Sequence, residues 1–349
     1  MDNLPPYGTS LCFFNNKGGV GKTTLACNIA SYIASSGARV LVVDADPQCN
    51  STQLILQTED CYKLYNGEYN GANTLLDVLR PIYDGEADIN THVVPLSAED
   101  NRFKVDLIAG HPKMSLVEEK LSQSWGELTS GDVGGFRRTN WCTQLVNHFS
   151  SAYDLIVFDV GPSLGALNRT VLIGTNYFVT PMGCDIFSIM GIKNIAEWLN
   201  EWNTLYLNGV ELCDRRNKGS LERYGVPRTL KNSSLFIGYT VQQYITKSKK
   251  GQRRPTVAFE TILRQIPGTI ESNLSKYIPS YLNVENLKLG DIPHMFSLVP
   301  LAQNANSPIH ALTGKDNLVG SQYQQQQSFV EMVTQVSTRL LSNMGVDLL

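Results

Sequence analysis

A chain of 349 residues with 42% hydrophobic side chains, 17% charged ones and a net charge of −3 has enough apolar material for a large core, which excludes an intrinsically disordered protein. No window approaches the roughly 18 uninterrupted apolar residues of a spanning helix, and the N-terminal MDNLPPYGTS has no basic stretch followed by an apolar one, so a cytoplasmic protein is expected. The seven cysteines (Cys12, Cys27, Cys49, Cys61, Cys142, Cys184 and Cys213) form no C-x-x-C pair and have no histidine at ligand spacing, which argues against a disulfide framework or a zinc site.

In chain order, the apolar runs at 11–15, 39–44, 105–110, 154–160, 177–181, 234–241 and 296–299 are rich in Val, Ile, Leu and Phe without clean alternation. Such runs suit strands buried on both faces of a parallel sheet. Helical patterns separate them: Leu25, Ile29 and Ile33 recur at helical spacing and stop at Gly37. The alternation predicts an α/β fold, a doubly wound, mostly parallel sheet with helices on both faces. Residues 1–349 are read as a single domain with surface insertions near 57–73, 126–136 and 205–233. The C-terminal stripe Phe329, Met332, Val333, Val336, Leu340 and Leu341 predicts a helix packed on the sheet. Its polar face lacks the basic residues of a membrane-surface helix, so no membrane partner is expected.

The most informative stretch is NNKGGVGKTT, residues 15–24, which follows an apolar run and opens a helical pattern. A phosphate-binding loop reads G-x-x-x-x-G-K-[ST]; this one keeps Gly21, Lys22 and Thr23 but has Asn16 at the first glycine, followed by a second lysine, Lys17. Gly18, Gly19, Val20 and Gly21 would turn backbone N–H groups into one concavity at a helix N-terminus. Lys22 would meet the β- and γ-phosphates, the Thr23 hydroxyl would ligate Mg²⁺, and Thr24 would lie at the α-phosphate. ATP and Mg²⁺ are the expected cofactors.

KGGVGKTT with Lys17 resembles the deviant Walker A motif of the ParA/MinD superfamily. The resemblance implies that Lys17 reaches across a homodimer formed on ATP binding, to the phosphates of the opposite subunit. Further segments are similar in the family's order. LVVDADPQCNST (41–52) resembles its second motif, implying that Asp46 sets the attacking water and that Asp44 acts near the metal, with Cys49 in place of the usual glycine. DLIVFDVGPSLGALNR (154–169) resembles its Walker B segment, implying that Asp159 holds Mg²⁺ through water, with Gly161 in place of a proline. TPMGCDIFSIMGIKNI (180–195) resembles a switch segment and LVPLAQNANSPIHAL (298–312) a late segment near the adenine. With the first strand expected by about residue 10, the chain is expected to resemble the short partition ATPases, which have no N-terminal DNA-reading domain.

Within the superfamily, Cys142 and Cys184 match iron–sulfur members only by residue type, and Tyr323 alone does not make the tyrosine-rich tail of the kinase members. The partition ATPases match best. Charge supports that branch: residues 215–264 hold twelve Lys/Arg against Glu222 and Glu260, a balance of +10 that leaves −13 for the rest. Lys247, Lys249, Lys250, Arg253 and Arg254 are the candidate contacts to non-specific DNA. The expectation is therefore a ParA-type (Soj-like) switch ATPase. It would bind DNA in the ATP state, hydrolyse ATP slowly without a stimulating protein, associate with a prokaryotic nucleoid, and segregate or position DNA or another cargo. The alternative is a nucleotide-gated module that controls a protein effector without DNA-based transport.

Overall fold

The computed structural model describes residues 9–69, 71, 73–242, 246–249, 252–255, 257–293, 295 and 297–349. Of residues 246–258, only backbone is described.

One sheet of seven parallel strands organises the chain, in the order β3-β2-β4-β1-β5-β6-β9. The strands are β1 (Thr9–Phe13), β2 (Val40–Asp44), β3 (Asp106–Ile108), β4 (Leu155–Asp159), β5 (Tyr177–Gly183), β6 (Leu235–Gln242) and β9 (Lys288–Ile292). A separate antiparallel pair, β7 (Thr246–Lys249) and β8 (Gln252–Pro255), leaves the sheet after β6.

Because successive strand side chains point to opposite faces, the buried residues divide into two layers. Leu11, Phe13, Val40, Val42, Leu155 and Val157 pack on one face with α1 (Lys22–Ser35), α2 (Asn50–Ile55), α3 (Thr58–Tyr65), α12 (Leu298–Asn304) and α13 (Gln322–Met344). Cys12, Leu41, Val43, Ile156 and Phe158 pack on the other with α4 (Leu75–Asp84), α5 (Met114–Thr129), α6 (Val133–Thr139), α7 (Trp141–Phe149), α8 (Ala166–Gly174), α9 (Ile186–Arg216), α10 (Ser220–Arg223) and α11 (Val257–Leu274). This is the three-layer arrangement the alternation predicts. The apolar stripe of α13 is buried as expected, and Gly37 follows the end of α1 at φ 102°.

One expectation is corrected. Of the run expected as a strand at 296–299, Phe296 lies outside the described residues and Leu298 and Val299 lie in α12, while the last sheet position is taken by Lys288–Ile292, an edge strand whose Lys288 and Asp291 meet water. An edge strand has only one neighbour, so it does not need a continuous apolar sequence. The three stretches read as surface insertions carry regular structure. Residues 57–73 contain α3, 126–136 join α5 to α6 with Phe136 fully buried, and much of 205–233 is the second half of α9 followed by α10.

Candidate nucleotide site

Strands β1, β2 and β4 end side by side, and the loops that leave them converge at the C-terminal edge of the sheet, where ligands bind in open α/β folds. Residues 14–21 lead from β1 into α1. Gly21 is the N-cap of α1 at φ 71°, and a Cβ there would lie 2.7 Å from the Gln242 side-chain nitrogen. The left-handed backbone favours glycine at this position, while the Gln242 amide, at the end of a flexible side chain, could shift aside. Asn16, at the first-glycine position, is not in the left-handed region, so no glycine is needed there. The loop is closed instead by Asn15. Its buried amide donates to the Pro181 carbonyl at 2.7 Å, and its Oδ1 accepts the Lys17 N–H at 2.8 Å.

Lys22 is buried inside this turn, its Nζ donating to the carbonyls of Asn15 (2.9 Å) and Lys17 (3.2 Å). Burial lowers its pKa, and the charges of Asp159 and Asp46 oppose that shift. Lys17 behaves differently. It is partly exposed, its Nζ is ion-paired with Asp185, and it lies 5.9 Å from the ring centre of Phe187. Burial would raise the Asp185 carboxyl, but Lys17 and the amides of Ser188 and Phe187 hold it below its ordinary value. Asp185 is also the N-cap of α9, and the first turn of that helix exposes Ile186, Phe187 and Met190.

Asp44 and Asp159 face each other in register at the ends of β2 and β4, both inaccessible to water. Burial first, and then the charge of Asp159, push Asp44 up to about 7; burial pushes Asp159 up to about 6. The short helix α2 supplies the compensating donors. The Thr52 N–H and hydroxyl donate to Asp44 at 2.8 and 2.7 Å, and the Ser51 hydroxyl donates to Asp159 at 2.6 Å. The Thr23 hydroxyl also lowers Asp159. Asp159 Oδ1 is buried with no hydrogen-bond partner, which is costly for a carboxylate unless a cation or water meets it. A cluster of hard oxygens next to a hydroxyl fits Mg²⁺.

Asp46 is buried between α2 and the loop after β4. It accepts from the Gln48 N–H at 2.9 Å and the Asn50 amide at 3.2 Å. A Cβ at Gly161 would lie 3.0 Å from its Oδ1, so glycine leaves Asp46 its room. The loop around Gly161 is held, because the Asn168 amide donates to the carbonyls of Gly161 and Ser163, each at 2.7 Å. Cys49, the other departure, keeps the turn by adopting φ 55° itself. Burial pushes its thiol up to about 12, so it is not a thiolate at neutral pH.

The structure thus gathers Lys22, Thr23, Asp44, Asp46 and Asp159 around one loop and turns Lys17 away toward Asp185. Thr23 and Thr24 open a cleft of about 260 Å³ that continues between Asn50, Gln53, Leu54 and Gln303. Gly18, Gly19 and Val20 form the turn between Lys17 and Gly21. All seven cysteines are free, and Cys142 and Cys184 are both buried.

The basic segment is split by the fold. Helix α9 has 31 residues, about 46 Å at 1.5 Å per residue, so Arg215 and Arg216 lie far from the phosphate loop that its first turn flanks. Arg228 is ion-paired with Asp214 and Glu222. The hairpin β7–β8 begins four residues after Gln242, within about 14 Å of it. The side chains of Lys247, Lys249, Arg253 and Arg254 and the whole of Lys250 lie outside the described residues. No helix among the described residues is long and apolar enough to cross a membrane.

Sequence reasoning missed Asn15, Ser51 and Asn168, which hold the site by side-chain hydrogen bonds rather than by motif chemistry.

Comparisons with known proteins agree with this geometry. A family model described as an AAA domain matches residues 8–209. The chromosome partitioning protein ParA of Caulobacter vibrioides is 30% identical over 217 residues, covering 59% of this chain and 70% of that protein. The solved structure of protein DIP2308 from Corynebacterium diphtheriae is 30% identical, with a TM-score of 0.74, and covers 96% of this chain and 98% of that one. The pNOB8 ParA solved bound to nonspecific DNA is 16% identical with a TM-score of 0.53, covering 97% of this chain and 99% of that one, a likeness of fold. The chain belongs to the ParA/MinD-type family of P-loop ATPases.

Proposed function

We propose that the chain works as one ATPase domain, a switch of ParA type that dimerises on Mg·ATP, binds non-specific DNA in that state and is released by hydrolysis. The observation that carries this reading is the division of labour between the two lysines. Lys22 is folded into its own loop beside Asp46 and Asp159, whereas Lys17 leaves that loop and stands beside the exposed Ile186, Phe187 and Met190. A cation at the rim of an apolar patch suits a surface that closes on a second copy and delivers charge there.

In the assembled site, Lys22 and the amides of Gly18, Gly19, Val20 and Gly21 cradle the phosphates, and Thr24 lies at the α-phosphate end. Thr23, with Asp159 and Asp44 behind it, holds the metal's ligand shell. Mg²⁺ when bound supplies neutralisation of the charge that builds on the transferred phosphoryl group. Asp46 orients the attacking water, and Lys17 of the second copy adds positive charge where the transition state needs it. Hydrolysis then waits for dimerisation and stays slow until a partner protein completes the alignment. The DNA-bound pNOB8 ParA of like fold supports the DNA-binding part of this reading, and so does the hairpin β7–β8, which begins four residues after Gln242.

The test is Lys17→Ala, followed by sedimentation and ATP turnover with Mg·ATP. The variant is expected to bind ATP, remain monomeric and lose hydrolysis; normal dimerisation with normal turnover overturns the proposal.

A further inference from the structure

The segment after α12 makes a contact that the phosphate-loop chemistry does not account for. The two N–H groups of the Asn306 side-chain amide are shared among three backbone carbonyls at the C-terminal end of α2, those of Leu56 (2.7 Å) and Gln53 (2.9 Å) close and that of Leu54 (3.3 Å) as the longer, bifurcated contact. Asn306 sits at φ 43°, a left-handed conformation that asparagine tolerates better than most residues. The helix it grips is only six residues long, about 9 Å from end to end. At the other end of that helix, Asn50 donates to Asp46, Ser51 to Asp159, and Thr52 to Asp44. One amide therefore terminates the element whose first turn holds all three carboxylates.

Asn306 is itself anchored from several sides. The Ile309 N–H donates to Asn28 of α1 at 2.8 Å, so the segment is tied to the helix that follows the phosphate loop. Arg102 donates to the carbonyls of Ala305 (3.4 Å) and Ala311 (3.1 Å) and forks onto Asp316. One turn before Asn306, Gln303 lines the same cleft as Thr23, Thr24, Asn50 and Gln53. The strap 303–311 thus touches the nucleotide cleft at Gln303, the phosphate-loop helix at Ile309 and the carboxylate-bearing switch at Asn306.

From this geometry we infer that Asn306 is a positioning residue for hydrolysis. It fixes the distance between α1 and α2, and through Asn50 it sets where Asp46 stands relative to the phosphates held by Lys22. This inference rests on the reading of the site as an ATPase with Asp46 at the water. Losing the two short donations to Gln53 and Leu56 frees the end of α2 to slide, and a displacement of about 1 Å at a reacting group costs up to about 100-fold in rate. Nucleotide affinity comes mainly from the loop 16–24, which Asn306 does not touch.

The test uses Asn306→Gly, which keeps the left-handed backbone while removing the amide, and Asn306→Asp, which keeps the shape but presents an acceptor to three carbonyls. Single-turnover hydrolysis, affinity for a fluorescent ATP analogue and the thermal midpoint are measured on the full chain, with hydrogen exchange at the amides of residues 53–56. The expected result is a ten- to hundredfold fall in the hydrolysis rate in both variants. Affinity should stay within about threefold of wild type, and the α2 amides should lose protection. If both variants hydrolyse ATP within about twofold of wild type, the inference is overturned. If rate, affinity and thermal midpoint fall in parallel, Asn306 is only a structural brace and the inference is overturned as well. A wild-type chain that binds ATP but never hydrolyses it would instead overturn the ATPase reading, a result these variants leave separate.

Discussion

Cys49 is the sharpest point at which chemistry and backbone disagree, and the disagreement can be measured. Its side chain is 2% exposed, yet its backbone stands at φ 55°, where a side chain costs about 1–2 kcal/mol. Replacing it with alanine keeps that strain and loses the buried sulfur, about 1 kcal/mol. Replacing it with glycine removes the strain but loses in addition a buried Cβ, about 0.8 kcal/mol, and admits more unfolded-state freedom, about 0.5–1 kcal/mol. In an ordinary buried position glycine would therefore be about 1.5 kcal/mol worse than alanine. Here the relief of strain offsets the difference, so Cys49→Gly should match Cys49→Ala within about 0.5 kcal/mol or exceed it. Urea unfolding of the nucleotide-free protein with both variants decides the matter. A glycine variant less stable than the alanine variant by about 1.5 kcal/mol would refute the claim that Cys49 carries a strained turn.

Other predictions follow from the same geometry. Gly161→Ala places a Cβ 3.0 Å from Asp46 Oδ1, so hydrolysis should fall at least about tenfold with ATP affinity nearly unchanged, as turnover and nucleotide titration would show. Asp185→Asn keeps the cap on α9 but frees Lys17; an exposed ion pair is worth at most about 1 kcal/mol, so dimerisation should strengthen by no more than about fivefold, measured by sedimentation with ATP. Asp44 and Asp159 bind protons more tightly folded than unfolded, so their contribution favours the folded chain at low pH and is lost as pH rises through about 6 to about 7. In EDTA, the unfolding midpoint should fall as pH rises from about 4 to about 7, and Asp44→Asn should flatten that slope; an unchanged slope contradicts the assignment.

Much of this site was legible because its chemistry is local in sequence. Gly21, Lys22 and Thr23 are contiguous, and Asp44 and Asp159 each end an apolar run, so strand burial and phosphate chemistry place them without knowledge of the partners. What was not legible depends on contacts across the chain. Asn306 meets Gln53 across a separation of 253 residues, and Asn15 meets Pro181 across 166; a single amide in a polar stretch gives no sign of either. The stretch 126–136 reads as a surface insertion, and its close packing was not legible: a Cβ at Gly135 would lie 2.5 Å from the Leu128 nitrogen. The last strand was misplaced because an edge position tolerates Lys288 and Asp291, while Leu298 and Val299 of the more apolar run lie in α12, where Leu298 is fully buried.

The central claim is that nucleotide state gates contact with DNA, and the affinity for non-specific duplex DNA tests it most directly. It should be measured with ATP, with ADP and in the Asp46→Ala variant across a salt series. The account predicts tight binding only with ATP, persistence of that binding in the variant, and a steep fall with salt as phosphate contacts are screened. Equal indifference to DNA in every nucleotide state would contradict it and favour a switch that acts on a protein effector.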